Sequence, residues 1–301
     1  MALLSALVKS LRPRQWTKNL LLFAGLIFTG NMKDLHLLGR SILGFFLFCI
    51  LSGVMYLVND VRDMESDRQH PEKRHRPIAS GELSAHAALS AAFLLGVPAL
   101  GLSYYRIGVA FGNCALAYVI LVTLYSLKFK NHVIIDLLMV AMGFVVRAVA
   151  GIEAMAVKGK APEVTPWFLA CTLFLALFLA ICKRRHEITL LNNRASEHRQ
   201  VLEEYSPVFL DQMVAVTTTA TVLSYALWST MGTIGKFAGY RMMIYTLPFV
   251  LYGIFRYLYH VYQKEEGGAP ESILLKDRPL QVNILLWVIS IIILIYFYKS
   301  T

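Results

Sequence analysis

The chain has 301 residues, 57% of them hydrophobic and only 16% charged, with a mean hydropathy of +0.56 and a formal net charge of +10. A soluble domain of this length carries about a quarter charged residues, so an ordinary water-soluble globule is excluded. Period-two alternation is absent, which argues against an outer-membrane barrel. Long apolar runs separated by short charged stretches instead describe an all-α bundle in a bilayer.

The first 18 residues stand apart. Leu3, Leu4, Leu7, Val8 and Leu11 recur at helical spacing on a segment too short to span. An amphipathic stretch along the membrane interface is expected there, anchored by Trp16. It has neither the long apolar core nor the small-residue cleavage site of a signal peptide, so it is expected to stay in the mature chain. About nine spans follow, at roughly 19–32, 37–58, 85–104, 107–127, 133–156, 166–182, 211–232, 242–262 and 281–298. Gly and polar interruptions leave eight or ten open. No linker or low-complexity segment divides the chain, and residues 1–301 are expected to form a single domain.

Charge sets the expected orientation. Of the 29 Lys and Arg, nineteen fall at the N-terminus or in the loops after spans 2, 4, 6 and 8, and eight fall on the other side. The loop after span 6 alone carries Lys183, Arg184, Arg185, Arg194 and Arg199. The basic side is expected to be cytoplasmic, in a multi-pass protein of the inner or plasma membrane. Most acids share that side; only Asp34, Glu153 and Glu163 fall on or near the other. Topology does not require acids to follow bases, so a polar site needing both signs is expected. The net charge therefore reads as topology plus an anionic ligand, not nucleic-acid binding. Cys49, Cys114, Cys171 and Cys182 lie in apolar spans without a CxxC pair and read as packing residues.

The informative segment closes span 2. If its helix continues past the membrane surface, Asn59, Asp63 and Asp67 follow at i, i+4 and i+8 on one face, with Asp60 bordering it. Carboxylates so placed repel one another unless a cation sits between them. Oxygen donors without Cys or His suit Mg²⁺, which keeps positions open for phosphate oxygens. Arg68, Lys73, Arg74 and Arg76 follow at once. Metal-holding carboxylates beside phosphate-holding cations are the two halves of a diphosphate site. The bland alternative is a solvated acidic helix end. Lys128 and Lys130, like Arg12, Arg14 and Lys18, also have a bland reading as topology markers, whereas Arg147 lies well inside span 5, where an unpaired cation is costly.

Asn59-Asp60-x-x-Asp63-x-x-x-Asp67 resembles the NDxxDxxxD motif of the UbiA superfamily of intramembrane prenyltransferases, and the likeness runs over nearly the whole chain. That resemblance implies a UbiA-like helical bundle with Mg²⁺ held by Asn59, Asp60, Asp63 and Asp67. The chain departs from ordinary members after span 6. A second aspartate-rich motif is expected there, yet the loop opens Cys182-Lys183-Arg184-Arg185-His186-Glu187 and has no Asp before Asp211. Cations in that place suit a donor with an additional phosphate. One branch of the superfamily, the decaprenyl-phosphate phosphoribosyltransferases, uses such a donor, 5-phosphoribosyl 1-pyrophosphate, in making arabinan precursors for the cell wall. Further segments resemble that branch: Arg12-Pro13-Arg14-Gln15-Trp16-Thr17-Lys18-Asn19; Asp67-Arg68-x-His70-Pro71-x-Lys73-Arg74-x-Arg76-Pro77; Tyr125-Ser126-x-Lys128-x-Lys130 with Asp136, Gly143 and Arg147; and Asp277-Arg278-Pro279.

The resemblance implies catalytic roles for Asp60, Asp63, Asp67, Lys128 and Lys130. It implies substrate contacts from Lys18, Asn19, Lys73, Arg74, Arg76, Tyr125, Asp136, Arg147, Lys183, Arg184, Arg185 and Glu187. The implied partners are phosphoribosyl pyrophosphate and a polyprenyl phosphate lipid, with self-association into a homo-oligomer left open. Two other readings stand beside it. One is a prenyltransferase moving an isoprenoid to an aromatic or other acceptor. The other is a lipid-phosphate transporter, which explains spans and cations but gives the carboxylates no role.

Overall fold

The computed structural model describes residues 2–71, 73–157, 159–163, 165–191, 200–231, 238–268 and 270–296; Arg194 and Arg199 lie outside them. Among these residues the chain is helical throughout, and the one β feature is an isolated Val157–Lys160 bridge. Seven helical segments among them are long and apolar enough to cross a membrane. The chain divides into two compact units, one of residues 1–26, 32–128 and 146–161, the other of 27–31, 129–145 and 162–301.

In the first unit, α1 (Ala2–Ser10) leads through Arg12 into 3-10 turns over Pro13–Leu21 and the short α2 (Leu22–Phe28). The amphipathic face expected for the N-terminus is split. Leu7 and Leu11 pack with Ala6 on Val54 and Leu57, while Leu3 and Leu4 stay exposed. The Trp16 indole donates to the Leu11 carbonyl at 3.2 Å, tying the turn to the end of α1. The expected first span, 19–32, is therefore not one long helix. Pro13 opens the 3-10 run, and Asn19 within it is wholly buried.

The long helix α3 (Leu35–Arg62) starts at Asp34, whose carboxylate accepts from the His36 and Leu37 amides. Its middle buries Leu47, Phe48 and Leu51 with Phe111 and Tyr118 of α6 (Val109–Leu127). Between them runs α5 (Ala85–Leu102), capped by Ser84, carrying Pro98, and ending in a π-helical turn over Ser103–Ile107. A short α4 (Met64–Gln69) follows α3. Gly151, in α7 (Ile135–Glu153), meets the backbone of Leu22, leaving no space for a Cβ.

In the second unit, α8 (Pro166–Leu191) buries Phe178, Ile181 and Cys182 with Leu137 and Ala141 of α7 and with Leu210 and Val214 of α9 (Pro207–Met231). A second cluster gathers Tyr225, Trp228 and Met243 with Ile291 and Ile295. Leu247 and Val250 of α10 (Leu247–Gln263) and Trp287 of α12 (Arg278–Tyr296) pack against it, and the short α11 (Pro270–Lys276) joins those two helices in the chain. The expected span 211–232 is helical as α9, but it is absent from the seven strongly apolar segments. Thr217, Thr218, Thr219 and Thr221 make it polar, and each returns its hydroxyl to a carbonyl of its own helix. Large apolar side chains such as Phe93, Leu94 and Leu285 stay exposed, as lipid-facing surface requires.

Candidate active site

Helix α3 stops at Arg62 and resumes at Met64, so the motif is not one unbroken helix. Asp63 is the hinge, at φ −90° and ψ 8°. Helical bonds bridge it, from the Asp63 amide to Asn59 and from the Asp67 amide to Asp63, which nearly preserves the expected register. Asn59 and Asp63 are half-buried; Asp60 and Asp67 are each 3% exposed.

Two buried carboxylates this close need positive charge, and two arginines supply it. Arg12 donates to Asp60 Oδ1 at 2.5 Å and lies 4.7 Å from the Tyr56 ring centroid. It holds a left-handed backbone, φ 52°, that side-chain-bearing residues rarely adopt. Arg76 Nη1 reaches both Asp60 Oδ1 (3.0 Å) and Asp67 Oδ2 (2.6 Å). The charge repulsion that suggested a metal from sequence is thus relieved by the chain itself. Lys73 and Arg74 lie on the 3-10 turn just before Arg76, half-buried and exposed respectively.

The motif still has the chemistry of a metal site. Every donor is an oxygen, the type a hard divalent cation takes. One cationic nitrogen already touches a carboxylate of both Asp60 and Asp67. Among the described residues no three His, Cys, Asp or Glu side chains converge as a complete cage. A metal here would take two carboxylates and fill its other positions with phosphate and water oxygens, as Mg²⁺ commonly does.

Arg147 is 5% exposed and satisfied within the unit. Its Nε donates to Asn19 Oδ1 at 2.7 Å, its Nη2 to the Tyr118 hydroxyl at 2.9 Å, and it lies over the Tyr118 ring. Asn19 in turn donates to Cys49 Sγ and Ser52 Oγ. Asn19 and Arg147, expected separately as substrate contacts, thus form one network. Lys18 is half-buried on the 3-10 run, and Tyr125 is half-buried in the last turn of α6, with Lys128 exposed after it.

In the second unit Asp136 is wholly buried in the first turn of α7. Arg184 Nε donates to its Oδ2 at 2.9 Å and the Tyr205 hydroxyl to its Oδ1 at 2.7 Å. The Tyr205 oxygen accepts from the amide of Ile134, a β-branched residue at φ 67°. This bond holds a strained approach to α7. Burial and the bond to Asp136 push the Tyr205 hydroxyl well above its ordinary pKa. Arg184 also donates to Glu187, at 2.5 Å. Arg185 pairs with Asp211 at 2.6 Å over the Tyr262 ring, and the Tyr262 hydroxyl donates to the same carboxylate. Lys183 is exposed, and Lys130 is half-buried on the turn before α7.

One cluster went unread in the sequence. Arg256 grips Asp277 with two bonds of 3.1 and 2.7 Å, His260 lies 2.8 Å from the same carboxylate, and the Leu280 amide donates to it. The Arg256 guanidinium, the Leu280 amide and His260 hold the Asp277 carboxyl well below the usual carboxylate range. The signals were present: an Asp two residues before Pro279 marks a helix start, and Arg256 and His260 stand one turn apart. Arg12 went unread as a partner of Asp60 for a different reason, since nothing in its surroundings points 48 residues ahead.

Residues 20–276 match the family described as the UbiA prenyltransferase family. The chain is 37% identical over 300 residues to the decaprenyl-phosphate phosphoribosyltransferase of Corynebacterium glutamicum, covering 98% of this chain and 88% of that one. It is 33% identical over 311 residues to the protein of the same name from Mycolicibacterium smegmatis, covering 98% and 94%. The fold is similar to that of a UbiA homolog from Archaeoglobus fulgidus solved with GPP and Mg²⁺ bound, with a TM-score of 0.73 at 19% identity over 96% of this chain and 99% of that one.

Proposed function

The chain belongs to the UbiA prenyltransferase family, and on that premise we propose that it transfers 5-phosphoribose from 5-phosphoribosyl 1-pyrophosphate to a polyprenyl phosphate of the decaprenyl type, releasing pyrophosphate. The observation that carries this reading is likeness over almost the whole chain to relatives named for that transfer. The basic stretch Lys183–Arg185 adds to it, standing where a prenyl-diphosphate enzyme needs aspartates.

In the reaction an oxygen of the lipid phosphate bonds to C1 of the ribose as the C1–O bond to pyrophosphate breaks, and the electron pair leaves with pyrophosphate. The acceptor has a second pKa of about 6, so it arrives as a nucleophile and needs no strong general base. Catalysis then rests on positioning and charge. Asp60 and Asp67, with Asn59 and Asp63, are the residues that would hold Mg²⁺, and the ion would supply positive charge to offset that of the leaving pyrophosphate. Arg12 and Arg76 fix the two buried carboxylates in place. Lys73, Arg74, Lys128, Lys130 and Lys183 are the cations assigned to phosphate groups of donor and acceptor, and Arg147 keeps Asn19 and Tyr118 in register.

Purified protein with Mg²⁺ is expected to turn over phosphoribosyl pyrophosphate with a polyprenyl phosphate and to leave geranyl diphosphate unused. Use of geranyl diphosphate alone would return the chain to the ordinary prenyltransferases. Movement of the lipid between leaflets without product would make it a transporter.

The excess of Lys and Arg on one side supports a multi-pass protein of the inner or plasma membrane with the motif toward the cytoplasm. Ser66 and Lys160 are both exposed. In cells, Ser66→Cys should react with a membrane-impermeant thiol reagent only after the cytoplasm is opened, and Lys160→Cys without opening. Labelling of Ser66→Cys in intact cells contradicts the orientation.

A further inference from the structure

Far from the motif, the first unit carries a half-open cavity of about 450 Å³, within the range of about 300–1,000 Å³ typical of small-molecule sites. It is lined by Arg40, Ile107, Gly108, Asn113 and Glu153. Arg40 and Asp60 stand twenty residues apart on α3, which is roughly 30 Å along a helix axis. The cavity therefore opens near the opposite membrane face.

Its charges are unusual. Arg40 Nε donates to the Ala154 carbonyl at 2.8 Å and its Nη2 to the Ile107 carbonyl at 2.5 Å. The cation thus covers the ends of α7 and of the π-helical turn, where carbonyls lack helical partners. Its Nη1 has no partner among the described residues. Glu153 lines the same cavity, half-buried, and its carboxylate has neither an ion pair nor a hydrogen bond among the described residues. Asn113 accepts from the Tyr104 hydroxyl and keeps its amide N–H groups for other use. The wall between them bends at Gly108, whose φ of 138° only glycine adopts readily. Ionisable groups in membrane segments are normally paired or functional. Here a cation and a carboxylate share a cavity without pairing with each other.

We propose that this cavity binds a zwitterionic phosphate-amine headgroup, with phosphoethanolamine chemistry. The phosphate takes the open edge of the Arg40 guanidinium and the Asn113 amide, and the primary ammonium donates to Glu153. A ligand with a single charge leaves one of the two groups uncompensated. A quaternary amine has no N–H to give the carboxylate and is best held by a cage of aromatic faces. Val109 at the cavity wall is 69% exposed, an apolar rim on which acyl chains can rest.

The test uses the full-length chain in detergent, read by native mass spectrometry with phosphatidylethanolamine, phosphatidylcholine and phosphatidylglycerol of matched chains. Wild type should retain phosphatidylethanolamine preferentially, and Glu153→Gln should weaken that retention about fivefold, the upper end for a part-exposed ion pair. Arg40→Gln should weaken all three phosphate lipids. Since Arg40 also caps two carbonyls, Glu153→Gln is the deciding variant, as its carboxylate makes no hydrogen bond or ion pair among the described residues. Added O-phosphoethanolamine separates two sources: displacement of the lipid makes the headgroup alone sufficient, and no displacement assigns the site to the intact lipid. Equal retention of all three lipids, or unchanged retention in Glu153→Gln, overturns the proposal. Transferase activity of Glu153→Gln should match wild type, so this result is separable from the reaction proposed above.

Discussion

Asp63→Asn and Asp67→Asn should each slow the transferase about a hundredfold or more at ordinary Mg²⁺. Loss of one preorganised charge acting on a leaving group costs on the order of 2.7–4 kcal/mol. The Asn side chain keeps one oxygen, so at Asp67 it can still accept from Arg76, whose bond to Asp67 is 2.6 Å. The fold should therefore survive while metal affinity falls, and raised Mg²⁺ should restore part of the rate. Glu65→Gln is the control. Glu65 is exposed, pairs with exposed Arg68, and lies about 200° around the helix from Asp63. Full activity in both Asp variants would reduce the motif to a charged helix end neutralised by Arg12 and Arg76.

Asp136→Ala should cost about 3–5 kcal/mol of stability, the loss that follows when one partner of a buried ion pair is removed. Arg184, 6% exposed, would lose its buried carboxylate partner, and Tyr205 would lose its acceptor. Tyr205→Phe removes two hydrogen bonds, to Asp136 and from the Ile134 amide, and leaves the ion pair, so about 2 kcal/mol is expected. Denaturant unfolding in mixed micelles measures both. Kinetics of Asp136→Asn then separate the two roles open to this residue. A rise in KM with stability intact would assign Asp136 to substrate, whereas a fall in stability with KM intact assigns it to the frame of α7.

The spans were legible because apolar length is a local property. α3 was expected at 37–58 and occupies Leu35–Arg62, with its charged end in the expected place. The carboxylate motif was legible because its residues are neighbours on one helix. What the sequence hid is pairing across distance. Arg147 plainly needed a partner, yet that partner, Asn19, lies 128 residues away and is brought in by the packing of α2 against Gly151. The demand for a cation among the carboxylates was read correctly, but Arg12 and Arg76 already meet part of it. Lys183, Arg184 and Arg185, expected to open a loop, looked alike in sequence and lie instead in the last turns of α8. The fold separates them, spending Arg184 and Arg185 on Asp136 and Asp211 and leaving Lys183 exposed.

The measurement that bears most directly on the reaction follows two labels in one donor. Phosphoribosyl pyrophosphate carrying ¹⁴C in the ribose and ³²P at the β-phosphate is incubated with polyprenyl phosphate, Mg²⁺ and the purified chain, and the lipid and aqueous phases are counted. Phosphoribosyl transfer sends ¹⁴C into the lipid phase and leaves all ³²P in aqueous pyrophosphate. Both labels staying in water, while a labelled prenyl diphosphate passes its isoprenoid to an acceptor, would contradict the account.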